Sequence, residues 1–147
     1  MYINWLVEKK ITINKRVEKN GELYAVLQLG NPKVKVNCDK NSMKPTCTLE
    51  ISTRVDLLEK IKDITLEELK SLVEEDIKEN VKKIFNVGLE DNLDLLNIGV
   101  KWYRQNPNRY RELLASGEFY LEKSSLKEVK VKVEVFHFNT YQYDIER

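Results

Sequence analysis

A cluster of carboxylates is the first place in this sequence where acid–base chemistry or metal binding could occur. Its members are Glu74, Glu75, Asp76 and Glu79. Closely spaced carboxylates can exchange a proton with a substrate, and their oxygens suit hard cations. The surrounding segment, however, repeats apolar residues at three- and four-residue steps, which predicts an amphipathic helix. The four carboxylates fall on its polar face, so we interpret them as solvated charges.

The single histidine and the two cysteines offer no better catalytic centre. His137 lies between two phenylalanines, and one histidine cannot build a typical multi-histidine metal site. Cys38 and Cys47 are nine residues apart with no histidine nearby, which is not zinc spacing. Two unpaired thiols are the favoured interpretation, and a disulfide in an oxidising compartment is the alternative. Phosphate-binding glycine loops and hydrolase motifs are absent. We therefore predict no enzyme, metal or cofactor.

Two short runs mix aromatic and arginine residues, as some RNA-binding proteins do. The runs are Trp102-Tyr103-Arg104 and Arg109-Tyr110-Arg111. A pair of helices with aromatic core residues and solvated arginines explains the same pattern and is favoured. The chain has 25 basic and 24 acidic residues and a net charge of +1. That balance argues against a nucleic-acid partner.

Length and composition are typical of one soluble globular domain, residues 1–147, with 41% hydrophobic and 33% charged residues. No apolar run approaches the ~20 residues that span a bilayer. The first residues lack the basic and apolar regions of a signal peptide.

Secondary-structure signals predict an α+β fold. Alternating apolar residues, including Ile13 and Val17, and an Asn20-Gly21 turn predict β-hairpins. We expect an antiparallel sheet from residues 3–58 and 127–145. A capping box at Thr65 and Glu68 opens a long helix that we expect to end near Gly88 in a left-handed conformation. Its predicted buried stripe comprises Leu66, Leu69, Val73, Ile77, Val81 and Ile84.

Two shorter helices are predicted between residues 92 and 115. Asp94 belongs at the start of the first, where it can accept backbone N–H bonds. Gly99 lies within this helix at a cost of about 1 kcal/mol relative to alanine, which indicates close packing, plausibly against the backbone of the long helix. Pro107 suits the first position of the second helix.

The final strand changes its pattern near its end. Four valines, from Val129 to Val135, share one face, whereas Phe136 and Phe138 fall on the face that begins with charged residues. Burial in the core is the favoured interpretation. The alternative is an exposed aromatic patch that contacts a partner.

The order of these features resembles the C-terminal domain of the Ger(x)C family, the C subunits of spore nutrient germinant receptors. The matching residues are Asp94, Gly99, Pro107 and Tyr110. The family often has tryptophan where Tyr110 stands, and a glycine near the end of the last strand, where this chain has Asn139-Thr140. The resemblance covers about residues 20–147. It rests on the order and spacing of the motifs, because none is specific alone.

The resemblance implies a non-enzymatic lipoprotein subunit that works with two membrane-embedded partners, the A and B subunits. The full-length protein would be anchored at the outer face of the spore inner membrane by a lipid on an N-terminal cysteine. We expect this chain to be the soluble last domain of such a protein, without the lipid anchor. The alternative is a ligand-binding or scaffold module of another envelope-associated protein.

Overall fold

The computed structural model describes residues 5–6, 12–40 and 42–136 and confirms the α+β class. Five strands form a mixed sheet, accompanied by three α-helices within the described residues. The strands are β1 (Ile13–Lys19), β2 (Glu22–Leu29), β3 (Lys33–Cys38), β4 (Cys47–Lys60) and β5 (Leu126–Phe136). The helices are α1 (Leu66–Glu90), α2 (Ile98–Gln105) and α3 (Pro107–Ser116), and a 3-10 turn spans Lys123–Ser125.

The sheet has the strand order β1-β2-β4-β3, and β5 also pairs with β4. The β1–β2 hairpin closes through Asn20 and Gly21, with φ of 54° and 80°. Both residues therefore adopt the left-handed conformation that the Asn-Gly pair predicted. β2 runs antiparallel to β4, with Leu29 opposite Val55. Alternate residues of β4 are buried from Cys47 to Leu57, so one face of this strand lines the core.

Helix α1 begins at the predicted position, with one of the two predicted capping-box bonds, while the Glu68 side chain pairs with Lys19. The Glu68 N–H donates to the Thr65 hydroxyl at 3.1 Å, which satisfies one free donor at the helix start. The predicted stripe is buried at most of its positions, and Phe85 extends it. Leu66 and Ile84 are the exceptions, because 42% of the Leu66 surface is exposed and Ile84 is half-buried.

Helix α1 ends two residues beyond Gly88, but the predicted left-handed conformation of Gly88 is wrong. Gly88 is helical, and the helix continues to Glu90. The left-handed residue after the helix is Asn92, with φ of 54°. Gly88 is required for space, since a Cβ there would lie 2.5 Å from the Leu93 carbonyl oxygen. The glycine signal was real, but it marked a close approach of the backbone and not a helix terminus.

Contacts divide the chain into two compact units. The first comprises Met1–Lys33, Ser52–Ile77 and Val131–Arg147. Its buried residues include Trp5, Leu27, Leu29, Val55, Val73, Ile77 and Val133. The Trp5 indole N–H donates to the Gly30 carbonyl at 2.7 Å, and the Thr53 hydroxyl donates to the same oxygen at 3.1 Å. The buried polar groups in this part of the core are thereby satisfied.

The second unit comprises Val34–Ile51 and Lys78–Lys130. Its core contains Cys47, Phe85, Ile98 and Leu121, with Phe119 and Tyr120 among the partly buried residues packed against it. The sulfurs of Cys38 and Cys47 form a disulfide. The favoured prediction of two unpaired thiols is therefore wrong. β3 ends at Cys38 and the neighbouring strand β4 begins at Cys47, which brings the two cysteines together.

The predicted first strand also begins too early. Trp5 and Leu6 are helical and buried, although we expected the sheet to start at residue 3. Val7 and Ile11 lie outside the described residues. No helix in the described part of the chain is long and apolar enough to span a membrane.

Candidate functional site

The Asp94 carboxylate organises the start of α2. One oxygen accepts the Ile98 N–H at 2.9 Å, and the other accepts the Gly99 N–H at 2.6 Å. These are the first two N–H groups of the helix, which have no partner within it. Asn97, immediately before the helix, has φ of 57° and makes no side-chain cap. Asp94 thus supplies the helix-start bonds predicted for it, from a position four residues before the helix.

Tyr120 is the third partner of this carboxylate. Its hydroxyl donates to the Asp94 Oδ2 at 2.8 Å. Burial, followed by this hydrogen bond, raises the pKa of Tyr120 well above its ordinary value of 10.0. The hydroxyl therefore remains protonated near neutral pH and acts as a hydrogen-bond donor. This arrangement stabilises the start of α2.

Gly99 leaves the space that Tyr120 occupies. A Cβ on Gly99 would lie 2.6 Å from both the Cε2 and the hydroxyl oxygen of the tyrosine. The predicted close packing at Gly99 is present, but its partner is a side chain. The predicted contact with the backbone of the long helix is therefore wrong.

Tyr110 joins the helices to this tyrosine. Its ring centroid is 5.4 Å from that of Tyr120 and 4.9 Å from that of Tyr103, in tilted and edge-on arrangements. Such aromatic pairs add to the free energy gained by burial. Pro107 occupies the first turn of α3, as predicted, and places Tyr110 one turn further along. Three of the four residues that match the family, Asp94, Gly99 and Tyr110, therefore meet around Tyr120.

An open groove of about 640 Å³ lies beside this cluster, between α2 and α3. Its volume is within the range of ligand-binding clefts. Its lining is mainly aromatic and apolar, with few polar groups. The lining residues are Asp94, Asn97, Gly99, Val100, Tyr103, Tyr110, Arg111, Leu114 and Tyr120.

The predicted aromatic helix pair explains the two arginine-containing runs. Trp102 is fully buried, and Tyr110 is packed in the tyrosine cluster, whereas Arg104 and Arg111 are exposed. The aromatic rings are held edge-on against one another, so their faces do not form a row on which successive bases could stack.

Two of the carboxylates in the α1 cluster have structural partners. Glu74 accepts the Val133 N–H at 3.1 Å, and Asp76 pairs with Lys15 at 2.6 Å. No group of three or more potential metal ligands is found among the residues that the structure describes. The interpretation of solvated charges is therefore wrong for Glu74 and Asp76, which are partly buried and make tertiary contacts, whereas Glu75 and Glu79 are exposed.

Phe136, the first of the two candidate partner-contact residues, lies at the end of β5. Its surface is 36% exposed, and the Arg54 guanidinium lies 4.0 Å from the ring centroid. The favoured prediction of core burial is therefore wrong for this side chain. His137 and Phe138 lie outside the described residues, so the aromatic patch stays a prediction.

The chain has an α+β fold, and in its second unit a partly buried acid–tyrosine pair holds the start of α2. This chain belongs to the family described as Spore germination B3/GerAC like, C-terminal, whose model matches residues 1–138. The predicted resemblance to germinant-receptor C subunits is thereby confirmed, and a role in spore germination fits the family.

One solved structure, "Crystal Structure of the GerBC protein", has a similar fold. The TM-score is 0.65 at 14% sequence identity, and the match covers 93% of this chain and 44% of that chain. At this identity the similarity concerns the fold alone. The chain spans less than half the length of that protein. No curated protein matches this chain significantly.

Proposed function

We propose that this chain is the last domain of the C subunit of a nutrient germinant receptor and acts through protein–protein contacts. The main support is the family match, which extends over residues 1–138. The similar fold of the GerBC protein agrees with it. A domain that binds partners needs a stable surface. The disulfide between β3 and β4 and the Asp94 bonds at the start of α2 both stabilise this part of the chain.

A non-enzymatic role is supported by how the reactive side chains are used. Both Asp94 oxygens accept hydrogen bonds from groups that stay protonated near neutral pH. Glu74 and Asp76 are bound to other parts of the fold. Groups committed to structural bonds in this way are poorly placed to exchange protons with a substrate.

The proposed partners are the membrane-embedded A and B subunits of the receptor. The full-length protein would reach them from a lipid anchor at the outer face of the spore inner membrane. Phe136 and Phe138 are candidate contact residues, and the exposure of Phe136 supports this role.

The test uses the full-length protein in its own spore former. A strain that produces full-length protein with Ile77→Asp should lose nutrient-triggered germination, because a charge at this fully buried position unfolds the domain. The same spores should respond normally to a trigger that bypasses the nutrient receptors. Asn86→Asp places the same charge on an exposed position of α1 and should leave germination unchanged. Normal nutrient germination with Ile77→Asp, despite loss of the folded domain, would exclude the proposed function.

A further inference from the structure

The two short helices are more positively charged than the chain as a whole. Residues 98–116 contain four basic side chains and one acidic one, so their net charge is +3, whereas the entire chain has +1. The single acid, Glu112, pairs with Arg109 at 3.1 Å. The remaining cations, Lys101, Arg104 and Arg111, form no ion pair within the described part of the chain.

Arg111 lines the groove between α2 and α3. Asp94 also lines it, and its oxygens accept bonds from Ile98, Gly99 and Tyr120. Lys101 and Arg104 lie on α2 but are not lining residues. The positive charge is thus concentrated on the two helices that form the groove, and a negatively charged partner would be attracted to this side of the unit.

Apolar side chains of the groove are also unusually exposed. Val100 and Leu114 expose 53% and 52% of their surfaces, and Tyr103 exposes 40%. Apolar side chains grouped in a concave surface and bordered by charge are typical of a protein interaction site. Burying them against a partner would provide affinity, and the cations would select a partner of opposite charge.

We propose that this groove binds a segment of a partner receptor subunit in which apolar side chains are flanked by carboxylates. The inference depends on the proposed function, since it names the surface through which the domain meets its partner. The concave shape favours a peptide segment over a bilayer, because a flat lipid surface cannot reach the residues that line the floor. Arg111 is the expected partner of a carboxylate, with the planar guanidinium geometry that suits bidentate pairing.

The experiment places a photo-crosslinking amino acid at Leu114 of the full-length protein in spores. Matched positions are Val87, which is 55% exposed and outside the groove lining, and Phe136, the other candidate contact. Irradiation should yield an adduct between position 114 and an acidic segment of a receptor subunit, identified by mass spectrometry. Position 87 should yield none. Arg111→Glu should reduce the adduct roughly three- to tenfold, whereas Lys83→Glu, the same charge change on α1, should not.

Co-purification of receptor subunits, measured in the same samples, tests the proposed function separately from the assignment of the groove as the docking surface. If the subunits co-purify but position 114 yields no adduct with them, or only position 136 does, the groove is not the docking surface and the proposed function stands. A lipid adduct at position 114 would likewise overturn the peptide assignment. If no receptor subunit co-purifies with the full-length protein, the proposed function fails, and the inference fails with it. An adduct that is insensitive to Arg111→Glu contradicts the charge-based selection.

Discussion

Gly99 and Tyr120 approach each other so closely that a methyl group on the glycine would not fit between them. An added Cβ would lie 2.6 Å from the tyrosine hydroxyl oxygen and 2.7 Å from the ring carbon that carries it. The ring cannot easily withdraw, because its hydroxyl is bonded to Asp94 and the ring packs at a tilt against Tyr110. Tyr120, which is outside the family-matching set, therefore contacts three residues within it, namely Asp94, Gly99 and Tyr110.

Gly99→Ala is expected to lower the free energy of unfolding by about 1–3 kcal/mol, through steric overlap with Tyr120. The sign of this change in the free energy of unfolding is informative. Alanine is the better helix former by about 1 kcal/mol, so without the overlap it would stabilise α2. Gly99→Leu should cost more. Urea denaturation of the chain measures the change. In a Tyr120→Leu background the alanine should become neutral or stabilising, and an unchanged penalty there would place the obstruction elsewhere.

Tyr120 should make the stability of the domain depend on pH in the alkaline range. In the unfolded chain its hydroxyl ionises near the ordinary pKa of 10.0, whereas burial and the bond to Asp94 raise the pKa in the folded state. The folded state thus holds this proton more tightly. The contribution to stability is complete below about pH 10 and declines as the pH rises further. Denaturation at several pH values between about 9 and 11 should show a steeper loss for the parent than for Tyr120→Phe. Identical slopes would contradict the raised pKa.

Local sequence signals were sufficient for most helices and strands. The Asn20-Gly21 turn, the start of α1 at Thr65 and the place of Pro107 in α3 each depend on the conformational preferences of neighbouring residues. The sequence pattern also gave the buried face of β5, where Val129 and Val133 are fully or almost fully buried. Such features are predictable because the cause lies within a few residues of the effect.

The candidate site was only partly predictable, because its central contacts join distant residues. Asp94 and Tyr120 are 26 positions apart, and no periodicity links them. In the sequence, Gly99 indicated only that a poor helix former stands inside a predicted helix, and it did not indicate that Tyr120 fills the space beside it. The disulfide similarly depends on how β3 and β4 place the two cysteines, and base rates for free thiols contain no information about that geometry.

Ile77→Asp should destabilise the domain by several kcal/mol. The side chain is fully buried on α1, and an aspartate there would place an unpaired charge in an apolar environment. Asn86→Asp adds the same charge to an exposed position of the same helix and should change stability by less than about 0.5 kcal/mol. Thermal or urea unfolding of both variants checks the prediction. A melting temperature for Ile77→Asp within a degree or two of the parent would contradict the packing.

Removing the disulfide should destabilise the second unit. The bond joins cysteines nine residues apart, and closing a loop of that size is worth about 2–3 kcal/mol through the reduced entropy of the unfolded chain. The double variant Cys38→Ser with Cys47→Ser should therefore unfold at lower urea concentration than the oxidised parent. The parent treated with a reductant should show a similar loss. A free-thiol assay on the unfolded parent, which should be negative, checks that the disulfide has formed. A double variant as stable as this oxidised parent would then contradict the expected loss.

The aromatic residues at the end of β5 allow a prediction about receptor assembly. Phe136→Ser combined with Phe138→Ser should leave the folding of the chain intact, because Phe136 is partly exposed and lies under Arg54 at the surface. The same pair of changes in the full-length protein should impair receptor assembly and nutrient-triggered germination, since an apolar contact with a partner would be lost.

Val133→Ser is the matched control on the same strand. Its side chain is fully buried, so it should lower the melting temperature of the chain. If the double variant unfolds as Val133→Ser does, the phenylalanines belong to the core. If it folds and the spores germinate normally, the end of β5 does not contact a partner, and the groove between α2 and α3 becomes the surface to test.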